Sequence, residues 1–177
     1  MKKLLTFVIA LLFATNLFAQ SKPLTFLGVP IIDNIDKVLQ QYAEKGYKPR
    51  IKTSKTVYGE YRNMIVKINI LYNRDTQMAT AVVVIPTNEC MCTADEVGKL
   101  FNDMLDEFNN NPNYTADPQN KKIPEGEDIV EGIWEKEKVY EAYFYQDGDR
   151  RKHVELSIHE YDGKYYVAES YCMKKPK

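Results

Sequence analysis

Apolar positions along this chain keep two rhythms, one helical and one extended, separated by polar breaks. Ile35, Val38, Leu39, Tyr42 and Ala43 recur at spacings of three and four, which lines them along one face of a helix. Asp33 or Asn34 can accept from the free amides of its first turn, and Gly46 can take the left-handed conformation that ends it. A second helix is marked by Thr93-Ala94-Asp95-Glu96, a capping box in which the Thr hydroxyl and the Glu carboxylate satisfy reciprocal backbone amides. Val97, Leu100, Phe101, Met104, Leu105 and Phe108 form its apolar stripe, and Asn109-Asn110-Asn111-Pro112 stops it.

The extended rhythm has period two. Leu24–Ile31 reads as an opening strand that ends at Pro30. After the first helix come strand-like segments at Tyr47–Thr53, at Val57–Tyr72 with an irregularity inside it, and at Met78–Ile85. Met64, Val66, Ile68, Ile70 and Tyr72 alternate with Ile65, Lys67, Asn69 and Leu71, the pattern of a sheet with one buried face. Ala81–Ile85 lacks alternation and reads as a central strand covered on both faces. Three more strands are expected at Lys138–Tyr145, Lys152–Tyr161 and Lys164–Cys172. Turn chemistry at Gln146-Asp147-Gly148-Asp149 and Asp162-Gly163 joins them as hairpins.

The expected order is β-α-β-β-β-α-(β)-β-β-β, the bracketed strand lying near Ile129–Trp134. Hairpins segregated from helices predict an α+β fold: an antiparallel sheet of about six to seven strands with two amphipathic helices on one face. Each half, 23–87 and 93–173, is a helix followed by an antiparallel meander, so the domain has the outline of a pseudo-duplication. Between 109 and 133 lies a polar stretch with Pro118, Pro124 and Glu125-Gly126-Glu127-Asp128, a loop long enough to hint at function.

The beginning of the chain has a different character. Met1-Lys2-Lys3 precedes an apolar run from Leu4 to Ala14 and small Ala19, the layout of a cleavable secretory signal over residues 1–19. Thr15 and Asn16 interrupt the run before the roughly 20 apolar residues that a bilayer span requires, and no Cys stands near the cleavage point to carry a lipid. The mature protein is then a single domain over residues 20–177, periplasmic or secreted, with no transmembrane segment. Loss of Lys2 and Lys3 takes the formal charge from −1 to −3, which provides no electrostatic footprint for nucleic acid.

Phe26-Leu27-Gly28-Val29-Pro30-Ile31, the helix ending in Lys45-Gly46-Tyr47, Tyr58-Gly59-Glu60-Tyr61 and the closing tyrosine-rich hairpins together resemble small uncharacterised exported proteins of gut-type Bacteroidota. Some of these have TATA-binding-protein-like architecture, and the resemblance implies helices packed on one curved antiparallel sheet. It carries over no catalytic residue, and such a scaffold does not by itself imply DNA binding.

Candidate chemistry is sparse. His153, Glu155, Ser157 and His159 share one strand face, where a solvated surface competes with a zinc site that would need ligands from other elements. Glu125, Glu127, Asp128 and Glu131, or Asp147 and Asp149, offer hard oxygens to Ca²⁺ without the spacing of a dedicated calcium loop. No other cofactor is expected. Of the three cysteines, Cys92 and Cys172 form the expected disulfide, since a Cys90–Cys92 bridge would be strained. A fully reduced set and a redox-active Cys-Met-Cys are the alternatives. Cys92 also precedes the second helix, where a helix N-terminus can lower a thiol pKa.

The thirteen tyrosines all follow the leader. Tyr143, Tyr145, Tyr165 and Tyr171, with Trp134, form the expected binding surface, because exposed aromatics offer apolar area with a polar tip. The competing reading is structural, since aromatics favour strands for packing alone. No Gly-x-Ser-x-Gly, His-Glu-x-x-His or Gly-rich phosphate loop is present. The sequence therefore points to an exported non-enzymatic module that contacts a protein, peptide or glycan through a sheet face and the long loop. A calcium-responsive regulator or inhibitor of an exported enzyme, and a small hydrolase pairing Cys92 with His153 or His159, are the alternatives.

Overall fold

The structure is a computed structural model that describes residues 22–173, so the leader expected over residues 1–19 lies outside the described residues. In chain order the elements are β1 (Thr25–Phe26), β2 (Val29–Pro30), α1 (Ile35–Glu44), β3 (Thr56–Tyr61), β4 (Met64–Asn73), β5 (Met78–Pro86), a 3₁₀ turn at Asn88–Cys90, α2 (Ala94–Asn109), β6 (Tyr114–Ala116), α3 (Ile129–Trp134), β7 (Glu141–Gln146), β8 (Lys152–Tyr161) and β9 (Lys164–Met173). Strands β3 to β9 form one antiparallel sheet of seven in the order β3-β4-β5-β9-β8-β7-β6. The fold is α+β. Read inward from either side, the first half supplies one helix and the three strands β3-β4-β5, the second half two helices and the four strands β6-β7-β8-β9, and the halves join where β5 pairs with β9.

Local chemistry explains the helices. The Asn34 side chain accepts from the Asp36 amide at 3.0 Å to open α1, and Gly46, at φ +91°, follows its end in the left-handed region. The Thr93 capping box opens α2, with the Thr93 amide donating to Glu96 Oε2 at 3.0 Å. Ile35, Val38 and Tyr42 from α1 and Val97, Phe101, Met104, Leu105 and Phe108 from α2 join a single core with Val57, Val66, Ile68, Val82, Val84, Phe144, Val154 and Leu156 of the sheet. Burial of each large side chain stabilises the fold by roughly 1.5–3 kcal/mol.

Four expectations change. Leu24–Ile31 is a small hairpin, β1–β2, turning at Leu27-Gly28 with φ +53° and +73°, and it pairs outside the main sheet. Tyr47–Thr53 contributes only an isolated bridge from Lys48 to Tyr58. The long segment Val57–Tyr72 is two strands, because Arg62 and Asn63 both adopt positive φ (51° and 59°) in a tight hairpin turn. Ile129–Trp134 is the short helix α3, opened by the Asp128 carboxylate accepting from the Glu131 amide at 2.8 Å.

Register assigns every strand residue to a face. On the core side Val66, Ile68 and Ile70 sit opposite Pro86, Val84 and Val82, and Val82 and Val84 sit opposite Tyr171 and Glu169. The other face runs in rows such as Tyr145–His153–Cys172–Ala81–Leu71 and Tyr143–Glu155–Ser170–Val83–Asn69–Thr56. No helix of the described residues packs there. The central strand β5 is therefore covered by helices on one face only, with Val83 and Ile85 half-buried on the bare one.

The helix-covered face holds one charged cluster. Glu169 on β9 is 2% exposed; it accepts from Arg62 Nε at 3.1 Å, from the Tyr171 hydroxyl at 2.9 Å and from the Tyr61 hydroxyl at 3.3 Å. Arg62 reaches it from the β3–β4 turn and also pairs with Glu107 on α2. Burial pushes the Glu169 carboxyl above its ordinary range, against the pull of Arg62. Phe26 covers the cluster, its ring 5.1 Å from that of Tyr61 and 4.9 Å from that of Tyr171. Arg62, Glu107 and Glu169 thereby tie the first half's hairpin to the second half's helix and last strand.

Candidate functional site

The stretch from 109 to 133 is ordered by polar side chains in the role of a strand. After β6, the Asp117 amide donates to the Tyr143 carbonyl at 2.9 Å. The Asn120 side chain then pairs with the backbone of Tyr143 in both directions, each bond 2.8 Å long. On α2, Asn102 does the same for Ile123, with both bonds at 2.9 Å. These two amides pin the loop between β7 and the helix layer, with no regular secondary structure from Asp117 to Asp128.

The pinned loop and β7 enclose a groove of ≈ 1010 Å³ whose lining includes Asp117, Asn120, Lys121, Tyr143, Tyr145 and Arg150. Three tyrosines in it donate to carboxylates: Tyr140 to Glu127 at 2.9 Å, Tyr143 to Glu141 at 2.9 Å and Tyr145 to Asp117 at 2.6 Å. Burial, then the Glu127 bond, pushes the Tyr140 phenol up to about 12. The Tyr143 phenol is raised by burial and Glu141, and that of Tyr145 chiefly by its bond to Asp117. In return the Tyr145 hydroxyl and the Gln119 amide hold the Asp117 carboxyl below its usual range. Lys138, and then Tyr140, do the same for Glu127. The Arg150 guanidinium lies 5.4 Å from the centre of the Tyr145 ring, and Tyr143 packs against His153 with ring centres 6.0 Å apart.

The expected binding residues divide. Tyr143 and Tyr145 line the groove together with the long loop. Tyr165 and Tyr171 do not belong to a surface: they are 6% and 5% exposed and point under the helices, because they share the strand parity of Val167 and Glu169. Trp134 is 65% exposed at the end of α3 and outside the groove lining. The signal that separates the tyrosines was present in β9, where Tyr166, Ala168, Ser170 and Cys172 alternate with the bulkier core set. Asn102, Asp117, Asn120 and Arg150 gave no such signal, since their partners are distant in sequence.

The expected Cys92–Cys172 bridge is excluded by register. Cys92 pairs with Tyr165 at one end of β9 and Cys172 lies near the other, about 23 Å away at roughly 3.3 Å per residue. None of the three cysteines forms a disulfide. The Cys92 thiol lies 3.3 Å from the Tyr165 carbonyl, and burial raises its pKa, the reverse of what a nucleophile needs. The cysteine that stands directly across from His153 is Cys172.

His153, Glu155, Ser157 and His159 do share the bare face, but the two histidines sit at opposite ends of β8, about 20 Å apart at roughly 3.3 Å per residue. His159 hydrogen-bonds Ser157 Oγ at 2.9 Å and stacks on Tyr166. The acidic groups are engaged separately: Glu127 with Lys138, Asp128 at the start of α3, Glu131 with Lys136, and Asp149 with Arg151. Among the described residues no three His, Cys, Asp or Glu side chains gather where one metal ion could sit.

Searches against family models, curated proteins and solved structures return no match to the chain. No helix among the described residues is long and apolar enough to cross a membrane.

Proposed function

We propose that this chain is an exported, non-enzymatic binding module that contacts a protein, peptide or glycan through the groove between its long loop and β7, with the bare sheet face beside it. The groove itself carries the reading: ≈ 1010 Å³ of concave surface in which tyrosine rings, fixed carboxylates and cations converge on one edge of a rigid sheet. Concave sites with a few placed polar groups on rigid elements are the usual form of a binding site. Export rests on the leader layout of residues 1–19.

The test is amide hydrogen exchange on residues 20–177 with and without an extract of the native cell envelope. Binding in the groove predicts protection at residues 117–124 and 140–146, with little change in α1. Protection absent from both segments, at extract concentrations that saturate any change elsewhere, would sink the proposal.

A further inference from the structure

The groove's chemistry narrows its occupant, and the narrowing rests on the binding-module reading above. Two peptide modes are closed by what already occupies β7. Its outer edge is paired with β6 from Phe144 to Gln146, and the Tyr143 backbone is taken by Asp117 and Asn120. An incoming peptide therefore finds no free main-chain edge there to extend the sheet. Asp117, Glu127 and Glu141 stand among the tyrosines, so an apolar anchor residue docked on that wall would desolvate charge.

What the wall offers instead is flat faces with hydrogen-bonding groups around them. Tyr140, Tyr143 and Tyr145 each commit the hydroxyl to a carboxylate, which fixes the rings; Arg150 lies over one face of Tyr145 and His153 packs beside Tyr143, and the remaining ring surface adds to the apolar part of the lining. Glu127 and Glu141 each keep one carboxylate oxygen, Oε2 and Oε1 respectively, that accepts nothing from a described residue. Arg150 and Lys121 form no ion pair with a carboxylate of the described residues, and both line the same space. The groove thus alternates strong acceptors, strong donors and aromatic faces. Asp117, Glu127 and Glu141 stand among the lysines and arginines of the lining, so the groove has no single-sign strip for a phosphate backbone to follow.

From this we infer that the groove binds a carbohydrate chain. Sugar hydroxyls donate to the free oxygens of Glu127 and Glu141. Ring and hydroxyl oxygens accept from Arg150 and Lys121. The C–H faces of the pyranose rings lie on Tyr143 and Tyr145.

The experiment is affinity electrophoresis and calorimetry of residues 20–177 against soluble dextran, yeast mannan, xylan and polygalacturonate. Tyr143→Ala, Arg150→Ala and Trp134→Ala serve as variants, and circular dichroism confirms that each is folded. At least one polysaccharide is expected to bind, with at least tenfold weaker affinity in Tyr143→Ala and Arg150→Ala and no change in Trp134→Ala. Arg150 is on the surface, so its variant keeps the test valid if Tyr143→Ala fails to fold. Binding to none of the four, or binding indifferent to both groove variants, overturns the carbohydrate assignment. The exchange experiment with envelope extract separates the two failures: protection at 117–124 and 140–146 without polysaccharide binding leaves the module standing with a different ligand, and loss of both removes it.

Discussion

Replacing Arg62 by Met tests the account of how the two halves are held together. Arg62 is the cation that faces Glu169, which is 2% exposed, and the substitution keeps an unbranched apolar stem while leaving that carboxyl without its counter-charge. Removal of one partner from a buried pair costs about 3–5 kcal/mol; the Arg62 side chain is itself 23% exposed, which puts the expected value near the lower end, at about 3 kcal/mol. The cost should depend on pH with a definite sign. Burial already raises the Glu169 pKa in the folded protein, so as pH climbs above about 4.3 the folded state holds more protons than the unfolded state and stability falls. Loss of Arg62 removes a contribution that lowers this pKa, which steepens the fall and extends it upward. At pH 4 the carboxyl is largely protonated in both states, and the penalty shrinks to lost packing and the lost Glu107 contact, on the order of 1 kcal/mol. Urea titrations of both proteins at pH 4, 5.5 and 7.5 read this directly. At pH 7.5 the melting temperature should also drop by about 6–12 °C, given roughly 2–4 °C per kcal/mol for a chain of this size. A penalty below about 1 kcal/mol at pH 7.5, or one equal at pH 4 and 7.5, would refute the reasoning.

Three further outcomes are expected. Gly59→Ala would drive a methyl into Cδ1 and Cε1 of the buried Tyr47 ring, so it should cost about 1–3 kcal/mol in a denaturant titration. Asn120→Ala removes both side-chain bonds to the Tyr143 backbone; it should cost roughly 1–3 kcal/mol and speed hydrogen exchange at the Tyr143 amide, while an unchanged exchange rate would show that the loop is held by other contacts. Denatured, unreduced protein should take up three iodoacetamide groups by mass spectrometry, and recovery of a Cys92–Cys172 peptide would contradict the sheet register.

Much of this fold is local and was legible for that reason. The stripes of α1 and α2, their caps and the alternation of β4, β8 and β9 each depend on residues within a few positions of one another. The failures have physical causes of the same kind. Arg62 and Asn63 hide a hairpin because neither is the glycine that a positive φ usually selects. Ile129–Trp134 is six residues long, too short to display a helical period. The Cys92–Cys172 expectation and the grouping of Tyr165 and Tyr171 with Tyr143 failed because they concern which strand lies beside which, and on which side. The groove was half visible: the long loop and two of its tyrosines stood out, while Asn102 and Asn120, which seat the loop, look like any polar residues until their distant partners are known.

The seam between β5 and β9 sets an order of events during synthesis. Residues 25–86 contain a helix and a complete meander, yet the strand beside β5 in the middle of the sheet is made after every other described strand. Until Lys164–Met173 emerges, the inner edge of β5 stays open and Val82 and Val84 lack their neighbours Tyr171 and Glu169. The closing strand therefore acts as a keystone, and a chain that lacks Lys164–Met173 loses the centre of its sheet while its margin stays in place. Contacts this far apart in sequence fold slowly, which leaves time for an unclosed β5 edge to pair with another chain.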